Sequence, residues 1–219
     1  MSDSFICNVL DVGIVSFNEA YKLQLSLVES MREKNSSPTL ILLEHPHVIS
    51  VGRSGNENDL KIPKRDFIKQ GVEVVHADRG GETTYHGPGQ IIGYPIIKIS
   101  NMQVRNYVRS LETVMIRTLK DFGVDAITIP EKTGVWINNK KIGSIGIKIS
   151  RGISYHGFAL NVNVDLKYFA NLIVCGDVFP ITSSMEQELG RRVSIEEVKR
   201  NLSIQFCKLL DFTPKYFTD

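Results

Sequence analysis

From residue 134 to residue 162, three β-type runs follow one another with little but turn residues between them. Residues 134–137 and 141–149 flank Asn138-Asn139, and 153–162 comes directly after. Asn-rich pairs between β-branched runs favour a tight reversal, so this stretch predicts adjacent antiparallel strands. Further β-type runs lie at 39–43 and 48–51, on either side of Glu44-His45-Pro46-His47, and at 72–76 and 91–99. Only three windows carry helical period. The first runs from about 17 to 32, with Phe17, Ala20, Tyr21, Leu25, Val28 and Met31 on one face. Ser16 is its N-cap and Glu19 the reciprocal partner of a capping box. The second covers about 104–122, with Val108, Leu111, Met115, Leu119 and Phe122 inward and Gly123 as its stop. The third opens at Ser194, with Glu197 in the box position, and turns Val198, Leu202, Phe206 and Leu209 inward. Clustered strands with few helices between them predict an α+β fold, a mixed β-sheet flanked by helices, rather than a regular βαβ winding.

Composition narrows the function classes. The 219 residues are 42% apolar and 23% charged, ordinary for a packed domain. Lysine and arginine total 26 against 24 acidic residues, leaving a net charge of +2, with no basic stripe that would argue for nucleic acid. No apolar run approaches the ~20 residues that span a bilayer. The first residues lack the basic region and apolar core of a secretory signal. Three cysteines, at 7, 175 and 207, suit a reducing compartment better than a disulfide framework. The expectation is a cytoplasmic enzyme that engages neither nucleic acid nor membrane. His45 and His47 find no third ligand at a convincing spacing, so no metal site is expected.

The densest chemistry lies in Asp78-Arg79-Gly80-Gly81-Glu82-Thr83-Thr84-Tyr85-His86-Gly87-Pro88-Gly89-Gln90. Its glycines suit a backbone that must approach a ligand closely, or a turn between strands. Read alone, 78–89 is a long irregular loop, as is 165–188. Cys175 follows Leu172-Ile173-Val174 and precedes Gly176. That context fits a thiol set at a tight turn, and fits a buried structural cysteine as well. Lys141 beside Lys140 reads as a solvated hairpin lysine, unless the fold brings it to Cys175. There an ammonium would stabilise the thiolate and a neutral amine would take its proton.

Together these segments resemble the lipoyl(octanoyl) transferases, octanoyl-[acyl carrier protein]:protein N-octanoyltransferases. The resemblance spans about Leu43 to Gly190. It is carried by Arg79-Gly-Gly-x-x-Thr84-Tyr85-His86-Gly87-Pro88-Gly89-Gln90 with Gly93-Tyr94-Pro95, then by Lys141-Ile-Gly-Ser-Ile-Gly146, Tyr155-His156-Gly157-Phe158-Ala159-Leu160-Asn161 and Val174-Cys175-Gly176. Val174 stands where many members of that family carry proline. The resemblance implies an acyl-thioester nucleophile at Cys175 and an activating lysine at Lys141. Substrate contacts would come from Arg79, Gly80, Gly81, Glu82, Thr83, Thr84, Tyr85 and His86, from Ser144, Ile145 and Gly146, and from Gly157, Phe158 and Ala159. It implies a fold similar to the catalytic domain of biotin protein ligases and lipoate ligases, with residues 1–219 as a single catalytic domain. The donor would be octanoyl-acyl carrier protein. The acceptors would be lipoyl domains of 2-oxoacid dehydrogenase complexes and the glycine cleavage H protein, with no cofactor. The competing readings are an ATP-dependent ligase of the same fold, which does not need Cys175, and a non-catalytic module that docks carrier or lipoyl domains.

Overall fold

The chain enters through a strand, β1 (Phe5–Ile14), and turns at Ser16 into α1 (Phe17–Arg32). The Ser16 hydroxyl accepts the Glu19 N–H at 3.2 Å and the Glu19 carboxylate accepts the Ser16 N–H at 3.2 Å, so the expected capping box is closed. A computed structural model describes residues 5–33, 36–99, 102–173 and 181–218. The buried stripe of α1 is Phe17, Ala20, Gln24, Val28 and Met31. Leu25, expected inward, is instead 40% exposed. Each helical residue turns ~100°, and the stripe drifts so that Gln24 takes the inward place. Its side-chain carbonyl accepts the backbone N–H of His156 at 2.7 Å. A polar residue on that face is thus satisfied by the backbone N–H of a strand residue.

After α1 come β2 (Thr39–Glu44), β3 (Val48–Val51), a 3₁₀ turn at Glu57–Asp59, α2 (Lys64–Lys69), β4 (Glu73–His76), β5 (Thr83–His86) and β6 (Gln90–Ile96). The strand β5 lies inside the stretch expected to be an irregular loop. Thr83, Thr84 and Tyr85 are good strand formers, and they pair with β3. The helix α3 (Val104–Asp121) ends with Gly123 at φ +82°, and its inward face begins at Tyr107, with the expected Val108 only half-buried. Then follow β7 (Ile127–Ile129), β8 (Lys132–Ile137), β9 (Lys140–Ser150), β10 (Ile153–Asn161), a 3₁₀ turn at Leu166–Asn171, α4 (Met185–Leu189), α5 (Ile195–Leu209) and β11 (Phe212–Thr218). The expected meander is β8–β9–β10, turning at Asn138 with φ +53°. The α5 cap is half the expected box. Ser194 accepts from the Glu197 N–H, while its hydroxyl donates to Glu196.

An eight-stranded sheet runs β11-β1-β2-β6-β10-β9-β8-β7. It is parallel at β11-β1-β2 and antiparallel from β2 onward, so it is mixed. A three-stranded sheet, β4-β3-β5, stands beside it. The large sheet is apolar on both faces. One face packs Leu40, Leu42, Phe158 and Leu160 under α3 and α5. The other packs Ile41, Ile92, Tyr94 and Ala159 under α1. Burying each large side chain stabilises by roughly 1.5–3 kcal/mol. The strand period of two therefore sorts β10 cleanly, with Phe158 and Leu160 to the α3/α5 core and Ala159 to the α1 side. Among the described residues no helix is long and apolar enough to cross a membrane.

Candidate active site

A cavity of about 740 Å³ lies where the small sheet stands against the α1 side of β9 and β10. Its floor follows the β9–β10 ladder, in which Ser144 pairs with Ala159, Gly146 with Gly157 and Ile147 with His156. Strand β5 and Arg79 close it from the small-sheet side. Gly157 and Gly146 must be glycine for packing reasons. A Cβ on Gly157 would collide with the Gly93 carbonyl of β6, and one on Gly146 would meet the Gly80 carbonyl at 2.9 Å and the Arg79 side chain at 3.0 Å. These two glycines, expected among the substrate contacts, therefore also set how closely β6 and the Arg79 loop approach.

Of the residues expected at the site, Arg79, Gly81, Glu82, Thr83, Thr84 and His86 line this cavity. So do Lys141, Ser144, Ile145, Gly146, Gly157, Phe158 and Ala159. Gly80 and Tyr85 do not. Gly80 donates its N–H to the Ile147 carbonyl at 2.9 Å, tying the loop to β9. Tyr85 faces the other side of β5, because strand neighbours alternate. There its hydroxyl bonds His47 Nδ1 at 2.6 Å, and its ring lies 4.7 Å from that of Tyr168, in the small sheet's own core. Cys175 lies outside the described residues.

Thr84 and His86 share the cavity side of β5, and His86 is held on both ring nitrogens. Nδ1 lies 2.7 Å from Gln90 Oε1 and Nε2 lies 3.2 Å from Ser50 Oγ. An amide oxygen only accepts, so Nδ1 carries the proton and Nε2 receives the Ser50 hydroxyl. Ser50 Oγ in turn accepts from Arg79 Nε at 3.2 Å and Nη2 at 2.8 Å. On the other side Gln90 donates to Asn161 Oδ1 at 2.8 Å, and Asn161 donates to the Ser183 carbonyl at 2.9 Å. Burial, with the nearby His45 and Arg79, pushes the His86 pKa down to about 3. His86 is a neutral strut in a chain of bonds from Arg79 to Ser183. His45 and His47, the histidines weighed as metal ligands, diverge. His45 bonds the Val15 carbonyl at 2.7 Å and Tyr94 Oη at 2.8 Å, and burial lowers it to about 4.

Lys141 stands at the other end of the cavity. Its Nζ lies 5.0 Å from the Trp136 ring centroid, within cation–π range. Its backbone N–H donates to the Ile181 carbonyl at 2.9 Å and its carbonyl accepts the Ser183 N–H at 3.0 Å. The stretch just after the segment that carries Cys175 is thus laddered onto Lys141. Ile173, just before that segment, donates to the Asp59 carbonyl at 2.7 Å. Glu131, Lys132 and Thr133 of the β7–β8 hairpin overhang this end.

Residues outside the expected set complete the wall. Phe17 comes from the first turn of α1, and Tyr94 from β6. Trp136 comes from β8, and His156 from β10. Tyr94 and His156 stand inside the quoted motifs, which was the available signal; nothing local to Phe17 or Trp136 marks them. His156 has φ +53°, which swings its ring to the α1 side of β10 between Tyr21 and Tyr155, at centroid distances of 5.5 and 5.3 Å. Its Nε2 donates to Asp78 Oδ1 at 2.7 Å. The other Asp78 oxygen accepts from Lys148 Nζ at 2.6 Å and Tyr21 Oη at 2.8 Å. Burial alone would raise the Asp78 pKa, but the bonds from Lys148, His156 and Tyr21 outweigh it and hold this carboxyl well below the ordinary range.

The mixed sheet with its flanking helices is shared with a known class. Residues 16–207 match the lipoyl protein ligase A/B catalytic domain. The backbone superposes on the crystal structure of lipoate-protein ligase A bound with ATP with TM-score 0.74, at 20% identity over 99% of this chain and 90% of that one. It also superposes on biotin protein ligase from Aquifex aeolicus with TM-score 0.52, at 11% identity over 94% of this chain and 69% of that one. The expected α+β fold of biotin and lipoate ligases is therefore the observed one. Sequence narrows the class. The octanoyltransferase of Solibacter usitatus is 40% identical over 208 residues, 94% of each chain. This chain belongs to the octanoyltransferase family.

Proposed function

We propose that this chain, acting over 1–219 as one catalytic domain, transfers an octanoyl group from octanoyl-acyl carrier protein to a lysine of lipoyl domains through a thioester on Cys175. The acceptors would be the lipoyl domains of 2-oxoacid dehydrogenase complexes and the glycine cleavage H protein, and the reaction would open endogenous protein lipoylation. One observation carries this reading: Lys141 lies on the cavity wall with its backbone bonded to both Ile181 and Ser183, immediately after the segment holding Cys175. A cavity of about 740 Å³ is of small-molecule size.

The chemistry balances without an oxidant or a nucleotide. The Cys175 thiolate attacks the donor thioester carbonyl, and the carrier thiol leaves with the proton that Cys175 gave up. The acceptor ε-amine then attacks the acyl-enzyme, forming the amide and returning Cys175 as thiolate. The proton lost by the amine needs a base within reach. With both His86 nitrogens engaged in the Ser50–Gln90 chain, Lys141 is the better-placed acceptor. Exchanging one thioester for another is nearly balanced, and amide formation draws the sequence forward.

Intact-mass measurement after incubation with octanoyl-acyl carrier protein tests this. A hydroxylamine-labile octanoyl adduct on the wild type and none on Cys175→Ala is the expected result. Transfer of free octanoate to a lipoyl domain only with ATP, and no adduct, would make the chain a ligase.

A further inference from the structure

Behind Lys141 stands a buried acid that does not line the cavity. Glu112 lies on the inward side of α3, in the row of Leu111, Val114 and Met115, and its side chain is 1% exposed. A carboxylate buried among such neighbours is costly unless its oxygens are paired. One accepts from Arg109 Nη1 at 2.6 Å, a turn earlier in the helix and 46% exposed. The other leaves the helix for the sheet and accepts the backbone N–H of Gly134 in β8 at 2.9 Å. Gly134 is thereby held by a charge-assisted bond, at φ +122°, a conformation open to glycine and to few other residues. The β8–β9 register shifts just beyond it, between Val135 and Trp136, and Trp136 then pairs with Lys141.

The bare Cα of Gly134 makes a seat. A Cβ there would stand 2.7 Å from Lys141 Cε and 3.6 Å from its Nζ, so the lysine side chain lies directly over that glycine, with its ammonium 5.0 Å from the Trp136 centroid. We propose that Glu112 is a positioning residue, which fixes the Gly134 peptide and so seats Lys141 where its ammonium meets the cavity. A lysine side chain has much rotamer freedom to lose, and misplacing a reacting group by ~1 Å costs up to about 10²-fold in rate. That Lys141 serves as the base rests on the function proposed above; the seat itself does not. The rival reading of Glu112 is a plain structural tie between α3 and β8.

Trp136 is the single tryptophan of the chain, so its fluorescence reports the seat without any reaction. Lys132 Nζ also lies 5.6 Å from that ring, so emission is compared in a Lys132→Met background. There Lys141→Met is expected to change the emission when Glu112 is present, and to change it little in Glu112→Leu, where the ammonium has already left the ring. In octanoyl transfer, Glu112→Leu should lower kcat about 10²-fold with KM for the donor unchanged. Glu112→Gln, whose amide oxygen still accepts from Gly134 while Arg109 turns to water, should recover most of that loss. An equal emission change from Lys141→Met with and without Glu112, or a Glu112→Gln variant as impaired as Glu112→Leu, would overturn the proposal. If Glu112→Leu does not fold, Glu112→Asp, one methylene short of Gly134, takes its place in both measurements. Wild-type transfer by Lys141→Met would overturn the base assigned above and leave the emission test of the seat standing.

Discussion

At its buried end the cavity is walled by Arg79, His86 and His156, with Asp78 bonded to His156 from outside the wall, and each of these is tied to its neighbours by hydrogen bonds of 2.6–3.2 Å. At the opposite end Lys141 is half-buried, Glu131, Lys132 and Thr133 are exposed, and Lys141 Nζ lies 5.0 Å from the centroid of the Trp136 ring. The same ladder of β9 and β10 floors both ends. What differs is the cover. The buried end lies under α1 and the small sheet, where polar groups must be paired to be tolerated at all. The other end lies under a hairpin at the edge of the large sheet, where water can stand in. One end is built to hold a shape, and the other, exposed at its rim, is where the proposed function would bring in the acyl donor and acceptor.

The largest expected effect falls at the open end. Lys141→Ala should lower transfer by roughly 10²–10⁴-fold, as loss of a general base does, while leaving thermal stability close to that of the wild type. A matching loss of stability would show that this end is structural too. At the buried end the reverse is expected. Asp78→Ala strips the partner from Lys148, His156 and Tyr21 together, and should lower urea-unfolding stability by about 2 kcal/mol, since the partly exposed carboxylate is screened by solvent. Gly157→Ala should destabilise by about 1–3 kcal/mol through its clash with Gly93, read from the same unfolding curves.

Acid sharpens the contrast. His45 and His86 are held neutral by burial, with pKa values of about 4 and about 3. The unfolded chain protonates histidine near ~6.5. Between these values the unfolded state binds more protons, so stability is fully present above about pH 6.5 and declines as the pH falls toward 4 and then 3. Unfolding curves across that window should show the decline, and His45→Gln should flatten it by up to one proton's worth of slope. A flat profile would mean these rings are not held neutral. The smallest effect belongs to Leu25→Gln. On the outward side of α1 it should change stability by no more than ~0.5 kcal/mol, against the larger loss its place in the helical period would suggest.

Local physics was legible in the chain. The limits of α1 came from the Ser16–Glu19 box and a three-to-four period, both of which act within a few residues. The β8–β9–β10 meander came from turn residues between β-branched runs. The site motif was legible through the family resemblance, since composition alone left the glycines around Arg79 and His86 equally suited to a turn between strands. What could not be read were pairings whose terms lie far apart. The parallel β1–β11 contact joins the two ends of the chain, and β5 acquires its strand character only beside β3.

Sequence by itself thus determined the α+β class, the helices with their caps, the family resemblance and the segments that carry the chemistry. Tertiary structure alone decided which face of each segment does the work. It put His86 in the cavity and Tyr85 behind it, and gave Gln24 rather than Leu25 to the inner face of α1. It brought Asp78 to His156 across 78 positions, and laid Lys141 against Ile181 and Ser183. The physical reason is range. Capping and periodicity are satisfied by near neighbours, whereas the pairing of buried polar groups depends on which strands the whole sheet brings side by side.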